Sequence, residues 1–207
     1  MRWRPAKLAV FAASLIPLGL LIRGFQTNSL GPNPIEAITH ATGDWTFRFL
    51  LLCLAITPAR KILGQPWLIQ YRRMAGLFAF FYCCLHFTTW FWLDKALDLN
   101  EMWIDVQKRR FITAGMTGFA TLSPLAITST AGWIRRMGGR NWNRLHRAIY
   151  VTGIAGVVHY WWLVKSDIRM PALYALLLAP LLGWRVWWKL RGPPKPRAQG
   201  TAKGQLS

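Results

Sequence analysis

Six apolar stretches divide the chain, near residues 8–22, 45–63, 74–93, 111–130, 147–164 and 171–188. Most approach the roughly 20 residues that a helix needs to cross the hydrocarbon core of a bilayer, and the first is short. Backbone N–H and C=O groups in lipid must find partners within their own segment, so each stretch is predicted to be helical. Trp90, Trp92, Trp161, Trp162, Trp184, Trp187 and Trp188 lie near the ends of the runs, where indole rings anchor helices at the interface. The pattern predicts an all-α polytopic membrane bundle of about six transmembrane helices. The loop 24–44, with Gly31, Pro32, Pro34 and Gly43, predicts an ordered turn with a short amphipathic piece over 34–41. The Pro-, Gly-, Lys- and Arg-rich stretch 192–207 predicts a disordered, basic, solvated tail, which leaves 1–191 as one transmembrane domain.

Charge gives this bundle a direction. The chain is 53% hydrophobic yet carries a formal net charge of +19. A nucleic-acid binder would spread its cations over one polar face. Here they cluster between apolar runs, which excludes nucleic acid as the partner and leaves the lipid bilayer. With six helices both termini share one side. That side receives Arg2, Arg4, Lys7, Arg60, Lys61, Arg72, Arg73, Arg135, Arg136, Arg140, Arg144, Arg147, Lys189, Arg191, Lys195, Arg197 and Lys203. All seven acids, Glu36, Asp44, Asp94, Asp98, Glu101, Asp105 and Asp167, fall on the other. The positive-inside rule makes the basic side cytoplasmic and the acidic side periplasmic. The N-terminal stretch has the basic start and apolar run of a signal peptide. It is followed by Arg23, Gly24 and Phe25 rather than a small-residue cleavage site, so it is expected to stay as the first helix.

Much chemistry is missing. There is no Gly-rich dinucleotide fingerprint, no phosphate-binding loop and no Ser-His-Asp arrangement, so no catalytic residue is assigned. Cys53, Cys83 and Cys84 lie inside apolar runs without a metal-ligand spacing and read as small buried side chains. The predicted helix cores hold no acid, which argues against a carboxylate proton relay or cation path.

Histidine remains. His86 lies in the third apolar stretch, His159 in the fifth, His146 at the basic end of the fifth, and His40 in the loop before the second. For each, the plain alternative is a ring that hydrogen-bonds a neighbouring helix; for His40 it is a turn or cap residue, with a quinone or propionate contact as the sharper reading. Depth separates them. His86 lies 13 residues beyond Arg73, and His159 lies 13 residues beyond His146, in each case about 20 Å along a helix. The third and fifth helices run in the same direction, so His86 and His159 should meet at one depth, toward the acidic face. Two imidazoles so placed can ligate one heme axially. At the depth of His146 the third helix offers only Arg72 and Arg73, whose guanidinium groups suit heme propionates. His146 and His159 also sit about 140° apart around their helix, which is awkward for two hemes in one cleft. One heme is expected, and a second at His146 is left open.

Several stretches resemble one family: LGPNPIEAITHATGDW (30–45), ITPAR (56–60), IQYRRMAGLFAFFYCCLHF (69–87), AITSTAGWIRRMGGRNWNRLHRAIY (126–150) and VHYWW (158–162). Together they are similar to the MsrQ family, formerly YedZ, within the ferric reductase-like transmembrane domains. The resemblance covers nearly all of the chain except its ends. It implies heme b ligated by His86, His146 and His159. It further implies electrons from the quinone pool or a cytoplasmic flavin reductase, an association with FMN, and delivery to a periplasmic molybdopterin subunit, MsrP, that reduces methionine sulfoxide in oxidised proteins. Arg72, Arg73 and Arg147 would hold propionates or a donor. The oxidase relatives carry a second histidine on the third helix and a flavin domain, both missing here, so the donor would be separate. Two other readings compete: a free-standing ferric or quinone reductase, and a heme-free membrane assembly or transport protein with structural histidines.

Overall fold

A computed structural model describes residues 5–191, in which each of the six apolar stretches is helical. Arg2, Arg4 and the stretch 192–207 lie outside the described residues. Helix α1 spans Pro5–Gln26. Leu8, Ile16 and Leu20 on it are 57%, 58% and 61% exposed, a surface that suits lipid and not water. Helix α2 runs unbroken from Pro34 to Ile62. The piece expected at 34–41 is therefore not a separate element but the first turns of α2. The reason is local: Asn33 caps the helix by accepting from Glu36 N at 3.2 Å, donates to the Glu36 carboxylate at 3.0 Å, and is followed by proline at the first helical position.

Helix α3 (Ile69–Thr88) continues into a π-helical turn at Thr89–Asp94. Two further helices lie where the apolar pattern is silent: α4 (Leu99–Lys108) and α6 (Ala131–Leu145). The cap of α4 is Asp98, whose carboxylate accepts from Asn100 N and Glu101 N. The cap of α6 is Thr130. Helix α5 (Arg110–Ile127) lies between them; a short 3₁₀ turn at His146–Ala148 leads into α7 (Ile149–Leu163), and α8 (Arg169–Leu190) completes the described part. No strand occurs among the described residues.

Helix α1, the stretch Pro66–Asp94 and α8 are each long and apolar enough to cross a membrane, and Arg110–Ile127 with Ala131–Leu163 does so as a pair bent by 111°. Asp44 and Arg48 dilute the apolar character of α2, and α7 has only 15 residues. Both are nonetheless packed inside the bundle: α2 pairs with α3, and α5 with α7. Within lipid such contacts are held by close packing and buried hydrogen bonds rather than by expulsion of water. Phe49 stacks on Tyr82 at 5.5 Å and on Phe78 at 5.4 Å between α2 and α3. The Tyr82 hydroxyl donates to Ser14 O at 2.8 Å, one turn before Pro17 within α1. Gly153 lets α8 approach, since a Cβ there would meet Leu178 at 3.2 Å.

The acid-bearing end is tied down by Lys95, which binds Asp105 at 2.7 Å, while Arg109 binds the other oxygen at 3.2 Å. Asp105 holds the Lys95 ammonium above its usual range, chiefly by the hydrogen bond. The clamp closes a turn in which Ala96 and Leu97 both take positive φ.

Candidate functional site

His86 on α3 and His159 on α7 come together between α2, α3, α5 and α7. Their ring centres are 6.0 Å apart and the planes stand at 86°. His86 Nδ1 lies 2.9 Å from Thr39 O, and His159 Nδ1 lies 2.6 Å from Phe111 O. A carbonyl only accepts, so each Nδ1 carries the proton and donates, and each Nε2 keeps its lone pair. No hydrogen bond to either Nε2 occurs among the described residues. This is the tautomer of a metal-binding imidazole oriented by a backbone carbonyl. The two rings are the pair that would hold a metal-bearing group between α3 and α7, to which each would offer a neutral ring nitrogen.

Small residues make room for the rings. A Cβ at Gly43 would stand 3.1 Å from His86 Nδ1, and one at Gly115 would stand 2.8 Å from His159 Nδ1. At Gly156 it would stand 2.6 Å from Phe47. A cavity opens beside the rings between α2, α3, α5 and α7. Its walls are mostly apolar: Phe87 stacks on Phe119 at 4.6 Å and 11°, with Met116 alongside. Trp90, placed by the π-helical turn, also lines it, and its indole N–H is buried without an acceptor among the described residues. An unpaired buried donor costs roughly 1–3 kcal/mol, which a ligand with an acceptor at its edge would relieve. These features fit a planar metal macrocycle with carboxylate groups, such as heme. His40 and Asp44 border the cavity, and His40 Nε2 lies 3.6 Å from Glu36.

His146 stands apart. Its Nε2 is 3.1 Å from Thr128 Oγ1, and its ring stacks on Trp142 at 3.7 Å. Trp142 is fixed in turn by donating to Thr128 O at 2.9 Å. Arg72 is half-buried, whereas Arg73 and Arg147 are exposed. None of the three borders the His86–His159 cavity. Arg185 on α8 escaped the sequence reading: it donates to Leu54 O and Leu181 O and lies 5.5 Å from the Tyr150 ring. A cation inside the last apolar stretch was the signal that could have found it. For Gly43 and Gly115 no comparable signal exists in one sequence.

Residues 42–157 match the family described as ferric reductase like transmembrane component. The chain is 52% identical over 184 residues to the protein-methionine-sulfoxide reductase heme-binding subunit MsrQ of Herminiimonas arsenicoxydans, covering 88% of this chain and 84% of that protein. It is 52% identical over 193 residues to the MsrQ subunit of Xanthomonas campestris pv. campestris strain 8004, covering 89% and 87%. With the MsrQ subunit of Ralstonia nicotianae the identity is 45% over 201 residues, covering 96% and 93%. The chain belongs to the MsrQ family of membrane subunits, within the ferric reductase-like transmembrane components.

Proposed function

We propose that this chain is the heme-carrying electron-transfer subunit of a protein-methionine-sulfoxide reductase, with heme b held between His86 and His159. The observation that carries this reading is the facing imidazole pair, 6.0 Å apart, with each Nδ1 committed to a backbone carbonyl. The names of the relatives, heme-binding subunits of that reductase, support it. Bound heme supplies a one-electron carrier. The chain's own part is to present two neutral ring nitrogens, fix their tautomers, exclude water with Phe87, Phe119 and Met116, and hold the group near the acid-bearing end.

In this reading the protein is a multi-pass protein of a bacterial inner membrane with both termini cytoplasmic, as the loop charges dictate. Electrons arrive from the quinone pool or a cytoplasmic flavin reductase. They leave at the acidic face toward the periplasmic molybdopterin subunit MsrP, for repair of oxidised methionine. Arg72, Arg73 and Arg147, on the basic side, are assigned to the donor or to a propionate of a group at His146. FMN rests on the family resemblance alone, and no residue is assigned to it.

The test is a redox titration of the purified chain with heme-to-protein stoichiometry, followed by mixing of the reduced protein with MsrP. Bands of b-type heme and oxidation by MsrP are expected. Absence of heme returns the chain to the assembly or transport reading. Heme without electron passage to MsrP favours a free-standing ferric or quinone reductase.

A further inference from the structure

Helix α6 links α5 to α7 at the basic side of the bundle, where the positive-inside rule puts the cytoplasmic membrane surface. It is amphipathic. Trp133 and Met137, one turn apart, are half-buried, as are Trp142 and Leu145, whereas Arg135, Arg136, Arg140 and Arg144 are exposed. Ile134 is 39% exposed on the first half. The two halves meet at Gly138, whose φ of 74° breaks the helix. None of the four arginines lies within ion-pair distance of a carboxylate among the described residues. No acid occurs anywhere between Asp105 and Asp167, so the chain itself has no local counter-charge. Arg136 lies 5.3 Å from the Trp133 ring, which lays the cation along an apolar surface instead of out in water.

We propose that α6 is an anionic-phospholipid site. Arg135, Arg136, Arg140 and Arg144 bind lipid phosphates, and Ile134 with the edge of Trp133 enters the boundary between headgroups and acyl chains. Basic amphipathic helices with tryptophan and aliphatic residues bind that boundary through both terms, buried apolar area and attraction to negative lipid. An acidic protein partner would account for the arginines alone. The membrane also accounts for exposed Ile134 and for the position of the helix between α5 and α7 at the basic end. The seating of α6 bears on the histidine below it, because Trp142 is both part of the helix and stacked on His146.

The experiment places the full chain in nanodiscs of phosphatidylcholine alone or mixed with phosphatidylglycerol. Hydrogen exchange across 131–145 and the lipid retained after detergent extraction are read by mass spectrometry. Exchange is expected to slow several-fold in the mixed discs, with phosphatidylglycerol enriched among the retained lipids. The variant R135Q/R136Q/R140Q/R144Q should lose both effects, and the corresponding four-lysine variant should keep most of the enrichment. On the unmodified chain, raising salt should remove the enrichment, since exposed charge pairs are screened within a Debye length of about 3 Å at 1 M. Equal exchange in the two lipids, or enrichment that survives the glutamine variant or high salt, overturns the proposal. Soluble polyglutamate protecting 131–145 more than phosphatidylglycerol does would also overturn it, in favour of an acidic protein.

Discussion

At the acid-bearing end of the bundle, His86 and His159 face each other with both Nδ1 atoms bonded to backbone carbonyls. At the basic end, His146 has its Nε2 beside the Thr128 hydroxyl and its face covered by Trp142. All three are histidines in or beside apolar helices, yet only the first two present free ring nitrogens to a shared space. The difference lies in which nitrogen the surrounding helix engages. A carbonyl at Nδ1 leaves Nε2 open as a ligand, whereas a hydroxyl at Nε2 closes it. The partner of one nitrogen thus sets which nitrogen can ligate: Nε2 at His86 and His159, and at His146 only Nδ1 unless the Thr128 contact opens.

The strongest way to break this contrast is to remove the rings. His86→Ala or His159→Ala should each lower bound heme by more than the roughly 10–100-fold loss of affinity that removal of a supporting contact causes; heme per protein after purification reads this. Normal content and an unaltered spectrum in both variants would refute the pairing. His146→Ala should leave that heme in place. A separate potentiometric step that vanishes in this variant would assign His146 a group of its own.

Smaller changes sharpen the comparison. Gly115→Ala puts a methyl group where the His159 Nδ1 stands 2.8 Å from the ideal Cβ, and should move the ring off Phe111 O. A heme-affinity loss on the order of tenfold is expected by titration of the apoprotein. Gly43→Ala, at 3.1 Å from His86, should cost less. Away from both histidines, Asp105→Asn removes the nearer of two carboxylates on Lys95 and leaves Asp94 at 3.7 Å. The cost should fall between the about 1 kcal/mol of an exposed pair and the about 3 kcal/mol of a buried one, and faster hydrogen exchange over α4 should report it. Because the Lys95 ammonium is held above its usual range, this contribution is intact at neutral pH and lost only as pH rises through the raised value. The mildest change is Tyr82→Phe, which removes the bond to Ser14 O and should lower thermal stability by about 1 kcal/mol with heme content unaltered.

How far the sequence reached can be judged from particular elements. Helix-length apolar runs foretold α1, α2, α3, α5, α7 and α8, because hydropathy reads the solvent a segment requires. It missed α4 and α6, which are short, charged and helical by virtue of one polar cap and one apolar face. Asp98 three residues before Glu101, and Thr130 before Trp133, were the legible signals. Equal spacing from the basic end placed His86 and His159 at one depth, since rise per residue is fixed in a helix. Rotation about the helix axes could not be set the same way, as small differences in packing redirect each face.

The sequence by itself determined that the chain is an α-helical membrane protein with a basic and an acidic end, and which histidines lie deep in it. Those properties follow from local composition and from the constant geometry of the helix. Only the tertiary structure decided that Thr39 and Phe111 hold the rings of His86 and His159, that Gly43 and Gly115 make space for them, and that Thr128 and Trp142 contact His146. The hydrogen bonds among them join residues 18, 47 and 48 positions apart, and no period in the sequence encodes which side chains meet when separate helices pack.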